Sequence, residues 1–343
     1  MNLESRSRFA QGVRAGHIPY LDGWRALAIG GVMIDHYVAS TGINLGRLGV
    51  ELFFVLSGRL MAQILFIENS DLGMFYYRRF SRVYPTIAIF IVGMLAASWF
   101  LHKPLIDAVG IISSLTYTYN YVSISGYRAG VIDHLWSLCI EEHTYLYLGL
   151  LAVIARRSPR WLSTLLATTI VANVIDGAVS TFFYHQNYYE VYWRTDVRMA
   201  SILMGAASFM LKQRGRLRLT GKWPVAIGLF GIVLNLNAIP DPVKYSVGSA
   251  CLALAVANID EAGMLVRETL STAFFVWFGF ISFSLYIWQQ PFAMMRPHPV
   301  ILRIFPLAAA FACAIASFYL VERPARRWLN AHPPQWVRAR RPP

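Results

Sequence analysis

The sequence predicts an all-α, polytopic integral membrane protein of about ten transmembrane helices with both termini cytoplasmic. Three observations carry that prediction. Apolar residues make up 56% of the 343 and charged residues 14%, too apolar a mixture for a soluble domain of this length. Stretches long enough to cross a bilayer core, about 20 residues each, recur at 21–40, 48–67, 85–101, 134–155, 161–180, 196–211, 223–239, 245–260, 273–292 and 301–321. The basic residues then sort by side: with a cytoplasmic N-terminus, 21 fall in inner segments and eight in outer ones, while Arg25 and Arg59 lie within spans. An odd number of spans would scramble that bias. The net charge of +13 is spread between apolar segments instead of forming one face, which argues against nucleic acid as a partner and for the lipid bilayer.

Residues 1–16 are polar and basic, with no small-residue cleavage site after a short apolar core, so the first helix is read as retained. That helix holds Arg25 and His36. Eleven helical steps bring the two side chains to within roughly 20° of one face, separated by roughly 16 Å along the axis. Ionisable groups in a bilayer core are costly and face a protein interior or a water-filled cavity, so the pair marks a polar route across about half of the membrane. The alternative is an arginine snorkelling to the lipid surface beside an unrelated packed histidine. The second helix carries Gly49-Val50-Glu51-Leu52-Phe53-Phe54-Val55-Leu56-Ser57-Gly58-Arg59, with Glu51 near its outer end and Arg59 about two turns deeper. An inner loop, Phe75-Tyr76-Tyr77-Arg78-Arg79-Phe80-Ser81-Arg82-Val83-Tyr84-Pro85, precedes a third span entered at Pro85. Its guanidinium forks match phosphate oxygens, and the alternative is ordinary positive-inside anchoring.

The outer segment 102–133 is rich in tyrosine, with Tyr117, Tyr119, Asn120, Tyr121, Tyr127 and Arg128, and a shorter run, Tyr184-His185-Gln186-Asn187-Tyr188-Tyr189, follows the fifth span. Aromatic faces stack on sugar rings, so both segments are candidates for glycan recognition; an interfacial aromatic belt is the alternative. The fourth span opens on His134-Leu135-Trp136-Ser137-Leu138-Cys139-Ile140-Glu141-Glu142. Ser137 and Glu141 share a face, while Glu142 points about 100° away. A histidine near a carboxylate in a dry cavity is a workable general base, and His36 is expected at a similar depth. Cys139, Cys251 and Cys313 fall in apolar spans without zinc or disulfide spacing, so no metal is implied. The basic tail 328–343 reads as a cytoplasmic fringe.

Together these segments resemble the acyltransferase 3 family of integral membrane acyltransferases, over residues 17–327. The resemblance rests on Tyr20-Leu21-Asp22-Gly23-Trp24-Arg25-Ala26 followed by His36, on the Gly49–Gly58 run, on Arg79 and Arg82 before Pro85, on His134 to Glu142, and on Ser282-Phe283-Ser284-Leu285-Tyr286-Ile287-Trp288 followed by Val321-Glu322-Arg323-Pro324. It implies a ten-span enzyme of a bacterial-type inner membrane. Such an enzyme takes an acyl group, often acetyl, from cytoplasmic acyl-CoA and places it on a hydroxyl of a polysaccharide or lipid-linked glycan. By position it makes His36, Arg25 and Glu141 the catalytic candidates, and Arg78, Arg79, Arg82, Ser137, Trp136, Glu51 and Glu142 the substrate-binding ones.

The chain departs from the family pattern where Gln289 follows Trp288 in place of a common histidine, where Arg59 follows Ser-Gly, and at Thr144. Arg59 is therefore expected to alter the cavity's charge. Coenzyme A is polyanionic and cannot cross lipid, so the acyl group or the thioester's tail must pass through the bilayer. In one version His36 deprotonates the acceptor hydroxyl for direct attack; in the other it becomes acylated and hands the group on. The competing class is a non-enzymatic transporter, which would favour a midplane carboxylate and two related halves.

Overall fold

In a computed structural model of the chain, residues 18–38, 42–295 and 297–338 are described. The predicted basic segment 1–16, the end of the 21–40 span and the last residues of the tail lie outside them. The described residues form helices and turns without strands. In order these are α1 (Pro19–Tyr37), α2 (Leu45–Ala62, continued by a π turn Gln63–Ile67), α3 (Leu72–Phe100), α4 (Ala108–Leu115) and α5 (Tyr119–Ile124). A 3₁₀ turn, Gly130–Leu135, leads into α6 (Trp136–Arg157), followed by α7 (Arg160–Phe182), α8 (Tyr188–Tyr192), α9 (Thr195–Gln213) and α10 (Trp223–Val233). A π turn, Lys244–Gly248, opens α11 (Ser249–Ala257), and α12 (Met264–Leu270), α13 (Ala273–Ala293), α14 (Ile304–Ser317) and α15 (Arg323–Ala331) complete the order.

Among the described residues, five helical stretches are long and apolar enough to cross a membrane: 45–67, 72–100, 130–157, 160–182 and 300–331. They become six if α12 and α13, bent by 55° at their junction, count as one. Helices also cover the other predicted segments, but α10 spans 11 residues and α11 nine, shorter than the sequence suggests.

Two expectations, for the arginine loop and the tail, are corrected, and the tyrosine-rich segment is given its shape. Arg78, Arg79 and Arg82 do not lie in a loop: α3 is a continuous helix of 29 residues with Pro85 inside it. Asp71 caps it by accepting the Met74 amide at 2.9 Å, and its basic first turns stay helical because they pack on α15. The segment 102–133 is not an open connector. Tyr84 donates to the Leu115 carbonyl at 3.0 Å, about 16 helical residues or roughly 24 Å from the Phe100 end of α3, so α4 and α5 fold back along that helix. The tail is no loose fringe either: Tyr77 donates to the Leu329 carbonyl at 2.8 Å and Val337 is buried.

The centre of the bundle is α2, packed against α1, α9 and α11, with α13 against the far side of α1. A Cβ at Gly58 would strike the Ile202 carbonyl, and one at Gly205 the Val55 carbonyl, so α2 and α9 touch backbone to backbone. The same interface buries an ion pair between Glu51 and Arg198, the latter fully inaccessible and caged by the rings of Tyr192 and Tyr245. Arg198, counted with the outer-side basic residues, sits in the first turn of α9 with its charge offset by a carboxylate. Trp24 ties α1 to α2 by donating to the Leu52 carbonyl at 2.9 Å.

Candidate active site

Five of the candidate residues converge on one cavity of about 80 Å³. Arg25 enters from α1, Arg79 and Arg82 from α3, and Ser137 and Glu141 from α6. Helical spacing explains the convergence: Arg79, Arg82 and Val83 form one stripe of α3, and Ser137, Leu138, Glu141 and Tyr145 one stripe of α6. Ser57, Ser282 and Tyr286 complete the polar lining, and Phe53, Phe54, Leu60, Met61 and Phe283 supply an apolar wall.

The charges are distributed unevenly. Arg79 reaches Glu141 Oε2 at 3.4 Å and Glu142 Oε1 at 3.1 Å, and its guanidinium lies 4.0 Å above the Tyr145 ring. Glu141 also accepts from Ser57 at 2.9 Å and from Tyr145 at 3.0 Å. Arg79 is thus committed to the protein. Arg25 is anchored one turn away by Asp22 at 2.5 Å. Arg82 lines the cavity with no ion-pair partner among the described residues, and Arg25, Arg79, Arg326 and Glu322 surround it at longer range. On the far wall Tyr286 donates to the His134 carbonyl at 2.9 Å, and the Ser137 hydroxyl lies 2.6 Å from that of Tyr286 and 3.2 Å from the same carbonyl.

His36 is not in this cavity. Its Nδ1 lies 2.6 Å from Oε1 of Gln289, a fully buried side chain. Gln289 Nε2 points to Gln290 Oε1 at 3.5 Å, and Tyr37 donates to the Gln289 carbonyl at 2.8 Å. An amide oxygen only accepts, so with Gln289 in this orientation His36 donates from Nδ1, and in the neutral ring Nε2 is the accepting nitrogen. Gln289 and the cavity residue Tyr286 are three residues apart on α13, roughly 4.5 Å along its axis. One short step of helix therefore separates the histidine's partner from the cavity wall.

Other candidates lie elsewhere. Glu51 is bound to Arg198 and accepts from Ser249 at 2.7 Å, away from the cavity. Trp136 stacks on Trp193 with ring centres 5.8 Å apart. Arg78 is exposed. Glu142, expected to point away from Glu141, shares Arg79 with it because the guanidinium lies between their two directions. Arg59 does not reach the cavity: two residues past Ser57 it turns to the opposite side of α2, donating to the Val256 carbonyl at 2.9 Å, with Asp260 at 3.8 Å. The sequence reading missed Gln289 as a partner for His36, although its departure from the family pattern marked the position. It also missed Glu322, which is buried and accepts from Ser284 at 2.7 Å.

The two tyrosine-rich segments meet. Ser123, Gly126 and Arg128 face Asn187, Tyr188, Tyr189 and Glu190 across a cleft of about 490 Å³. The Arg128 guanidinium lies 4.5 Å from the Tyr189 ring centre and 4.4 Å from that of Trp193, with Asp133 at 3.4 Å. Asn187 and Glu190 form a reciprocal cap that fixes α8. Tyr127 donates to Asp107 at 2.5 Å, which holds that exposed carboxyl below the usual carboxylate range. Tyr119 and Asn120 face inward: both are buried, the first bonded to Asp133 and the second donating to the Trp193 carbonyl at 3.0 Å.

A family profile described as an acyltransferase domain matches residues 18–322. The peptidoglycan O-acetyltransferase OatA of Listeria monocytogenes is 26% identical over 91% of this chain and 56% of its own length. A putative O-acetyltransferase of Staphylococcus aureus strain COL is 25% identical over 94% of this chain and 60% of its own, and the O-acetyltransferase OatA of strain NCTC 8325 is 27% identical over 91% and 57%. The chain therefore spans less than two thirds of the length of these relatives. No solved structure matches.

Proposed function

The chain belongs to the acyltransferase domain family, and from that membership we propose that it is a membrane O-acyltransferase moving an acetyl group from acetyl-CoA to a hydroxyl of a cell-surface glycan. The observation that carries the reading is the pairing of an arginine-lined cavity with a histidine whose hydrogen-bond partner, Gln289, stands one helical turn from Tyr286 of the cavity wall. In this reading Arg82 and Arg25 hold the donor at the cavity. Arg79 holds Glu141 and Glu142 in place, and Ser57, Ser137 and Tyr286 line the wall against which the acyl group lies. His36 Nε2 takes the proton of the acceptor hydroxyl as its oxygen attacks the carbonyl carbon; the C–S bond breaks, and the thiolate leaves. Gln289 accepts from Nδ1–H throughout, and so stabilises the imidazolium that forms.

A relative named a peptidoglycan O-acetyltransferase supports a glycan acceptor. We read the topology as ten crossings in a bacterial-type inner membrane with both termini cytoplasmic, the short α10 and α11 included. Accessibility of single cysteines placed at 215 and 271 to a membrane-impermeant reagent tests it: both should label only after the inner face is exposed.

The test of the function is acetyl-CoA consumption by purified protein in nanodiscs, with and without glycan fragments. Acceptor-dependent release of coenzyme A is expected, and its absence across peptidoglycan and polysaccharide fragments would remove the reading. Arg82→Ala should weaken donor binding about tenfold to a hundredfold, the range of a lost charge-assisted hydrogen bond, while turnover at saturation changes little. Lysine restores part of it, because it lacks the fork. An unchanged donor KM in Arg82→Ala would move the phosphate site elsewhere.

The cleft between α5 and α8 is the place we assign to the rest of the acceptor. Tyr189→Ala combined with Arg128→Ala is expected to raise the glycan KM about tenfold, equivalent to ~1.4 kcal/mol, and to leave the donor KM alone. If the glycan KM stays put in a well-folded double variant, acceptor choice resides in the helices instead.

A further inference from the structure

We infer that His134 is a further catalytic residue, whose ring N–H donates to the carbonyl oxygen of the thioester on the side of the cavity that leads to His36. This inference rests on the acyl-transfer reading above. The 3₁₀ turn Gly130–Leu135 and the start of α6 run antiparallel to α13: the Ser137 hydroxyl lies 2.6 Å from that of Tyr286, the His134 carbonyl accepts from Tyr286 at 2.9 Å, and the Gly130 carbonyl accepts from Gln290 at 3.2 Å. His134 therefore stands beside the stretch of α13 between the cavity residue Tyr286 and Gln290. That stretch carries Gln289, the partner of His36. The His134 ring meets the Tyr286 ring edge-on at 5.5 Å and the Phe90 ring edge-on at 5.7 Å, and the two imidazoles are close enough for each to sense the other's charge.

The surroundings of His134 supply shape and no hydrogen bond. The residue is 5% exposed, and neither ring nitrogen has a hydrogen-bond partner among the described residues. Trp288, which meets the same Phe90 ring at 5.4 Å, has its Nε1–H buried and unpartnered as well. A buried donor or acceptor without a partner destabilises a fold, whereas an apolar side chain of similar shape would not. A group kept at that cost is poised for an atom that arrives with the substrate. The thioester carbonyl oxygen is such an atom. It gathers negative charge as the acceptor's oxygen bonds to the carbonyl carbon, and gives that charge back as the C–S bond breaks and the thiolate leaves. His134 donates throughout and exchanges no proton, while His36 takes the proton of the hydroxyl. A donor already fixed in a dry site stabilises the developing charge without reorganising. The structural rival for the same N–H is the carbonyl of Ile287, which Pro291 leaves without its helical donor. The two roles have opposite consequences for stability: removing a donor from Ile287 weakens the fold, and removing an unpartnered imidazole does not.

His134→Leu, His134→Gln and wild-type protein in nanodiscs would be compared by thermal unfolding and by steady-state transfer from acetyl-CoA to a glycan fragment. Leucine has a similar volume and no polar atom; glutamine keeps an N–H and takes no proton. His134→Leu is expected to unfold at or above the wild-type temperature, with kcat lowered about 10² to 10³-fold, the usual loss of one oxyanion donor, and the acetyl-CoA KM unmoved. His134→Gln should recover about tenfold of that loss, because the amide still donates. Such rescue sets position 134 apart from position 36, where a base is needed. Earlier unfolding of His134→Leu would make His134 the structural partner of Ile287. A kcat in His134→Gln as low as in His134→Leu would make the ring a proton carrier, and a wild-type kcat in His134→Leu would leave it no part in the reaction. Each of these results overturns the proposal while the acyl-transfer reading stands. Wild-type protein that consumes no acetyl-CoA with any acceptor would overturn that reading, and this proposal with it.

Discussion

Replacing His36 with alanine is expected to lower acyl transfer by about 10² to 10⁴-fold, the usual loss when a general base is removed, while the protein still inserts and folds. The imidazole is held by one hydrogen bond to Gln289 and is only partly buried, so its loss removes little packing. His36→Gln and His36→Asn should be nearly as inactive, because an amide cannot take the proton. Gln289→Ala separates base from orientation. The ring then keeps its Nε2 but loses the acceptor that fixes its tautomer, so the rate should fall less than in His36→Ala, with the acetyl-CoA KM unmoved. The measurement is steady-state transfer in nanodiscs, with thermal unfolding as a control. A His36→Ala rate above a tenth of wild type would remove both the general-base and the acyl-histidine roles.

Much of this arrangement is legible in the sequence because helical periodicity is rigid. Arg25 on its stripe, the 137, 138, 141 set on α6 and the 79, 82, 83 set on α3 follow from 3.6 residues per turn, and they meet at one cavity. Periodicity gives no account of partners in distant helices. Nothing in residues 49–59 says that Glu51 turns to Arg198 in α9 while Ser57 turns to Glu141 in α6; both depend on how closely α2 approaches each neighbour, which for α9 Gly58 and Gly205 decide. Hydropathy also misplaced the start of α3, since a window that counts Arg78, Arg79 and Arg82 as polar ends the span at Pro85. The helix continues because those turns are capped by Asp71 and lie against α15. The two tyrosine-rich segments were visible separately, but 490 Å³ of shared cleft exists only once α5 and α8 are folded beside each other.

The two arginines of the Arg79–Arg82 pair, equivalent in sequence, are expected to behave differently when removed. Arg79→Ala strips the single cation from Glu141 and Glu142, whose side chains, like that of Arg79, are largely shielded from water. Breaking a buried pair from one side costs about 3–5 kcal/mol, because the remaining charge is left uncompensated, and here two carboxylates remain less than one turn apart. Arg79→Ala should therefore lower the unfolding temperature in detergent by several degrees, and lower activity through a collapsed cavity as well as through the donor. Arg82→Ala, which breaks no ion pair among the described residues, should unfold close to wild type and show its defect in donor KM alone. A triple variant, Arg79→Ala with Glu141→Gln and Glu142→Gln, distinguishes charge from packing. Neutralising the stranded carboxylates should recover most of the lost stability without recovering turnover, since an amide at 141 has one accepting oxygen where the carboxylate used two to order Ser57 and Tyr145. If Arg79→Ala and Arg82→Ala unfold at the same temperature and raise donor KM equally, Arg79 is a phosphate ligand and the network around Glu141 does not depend on it.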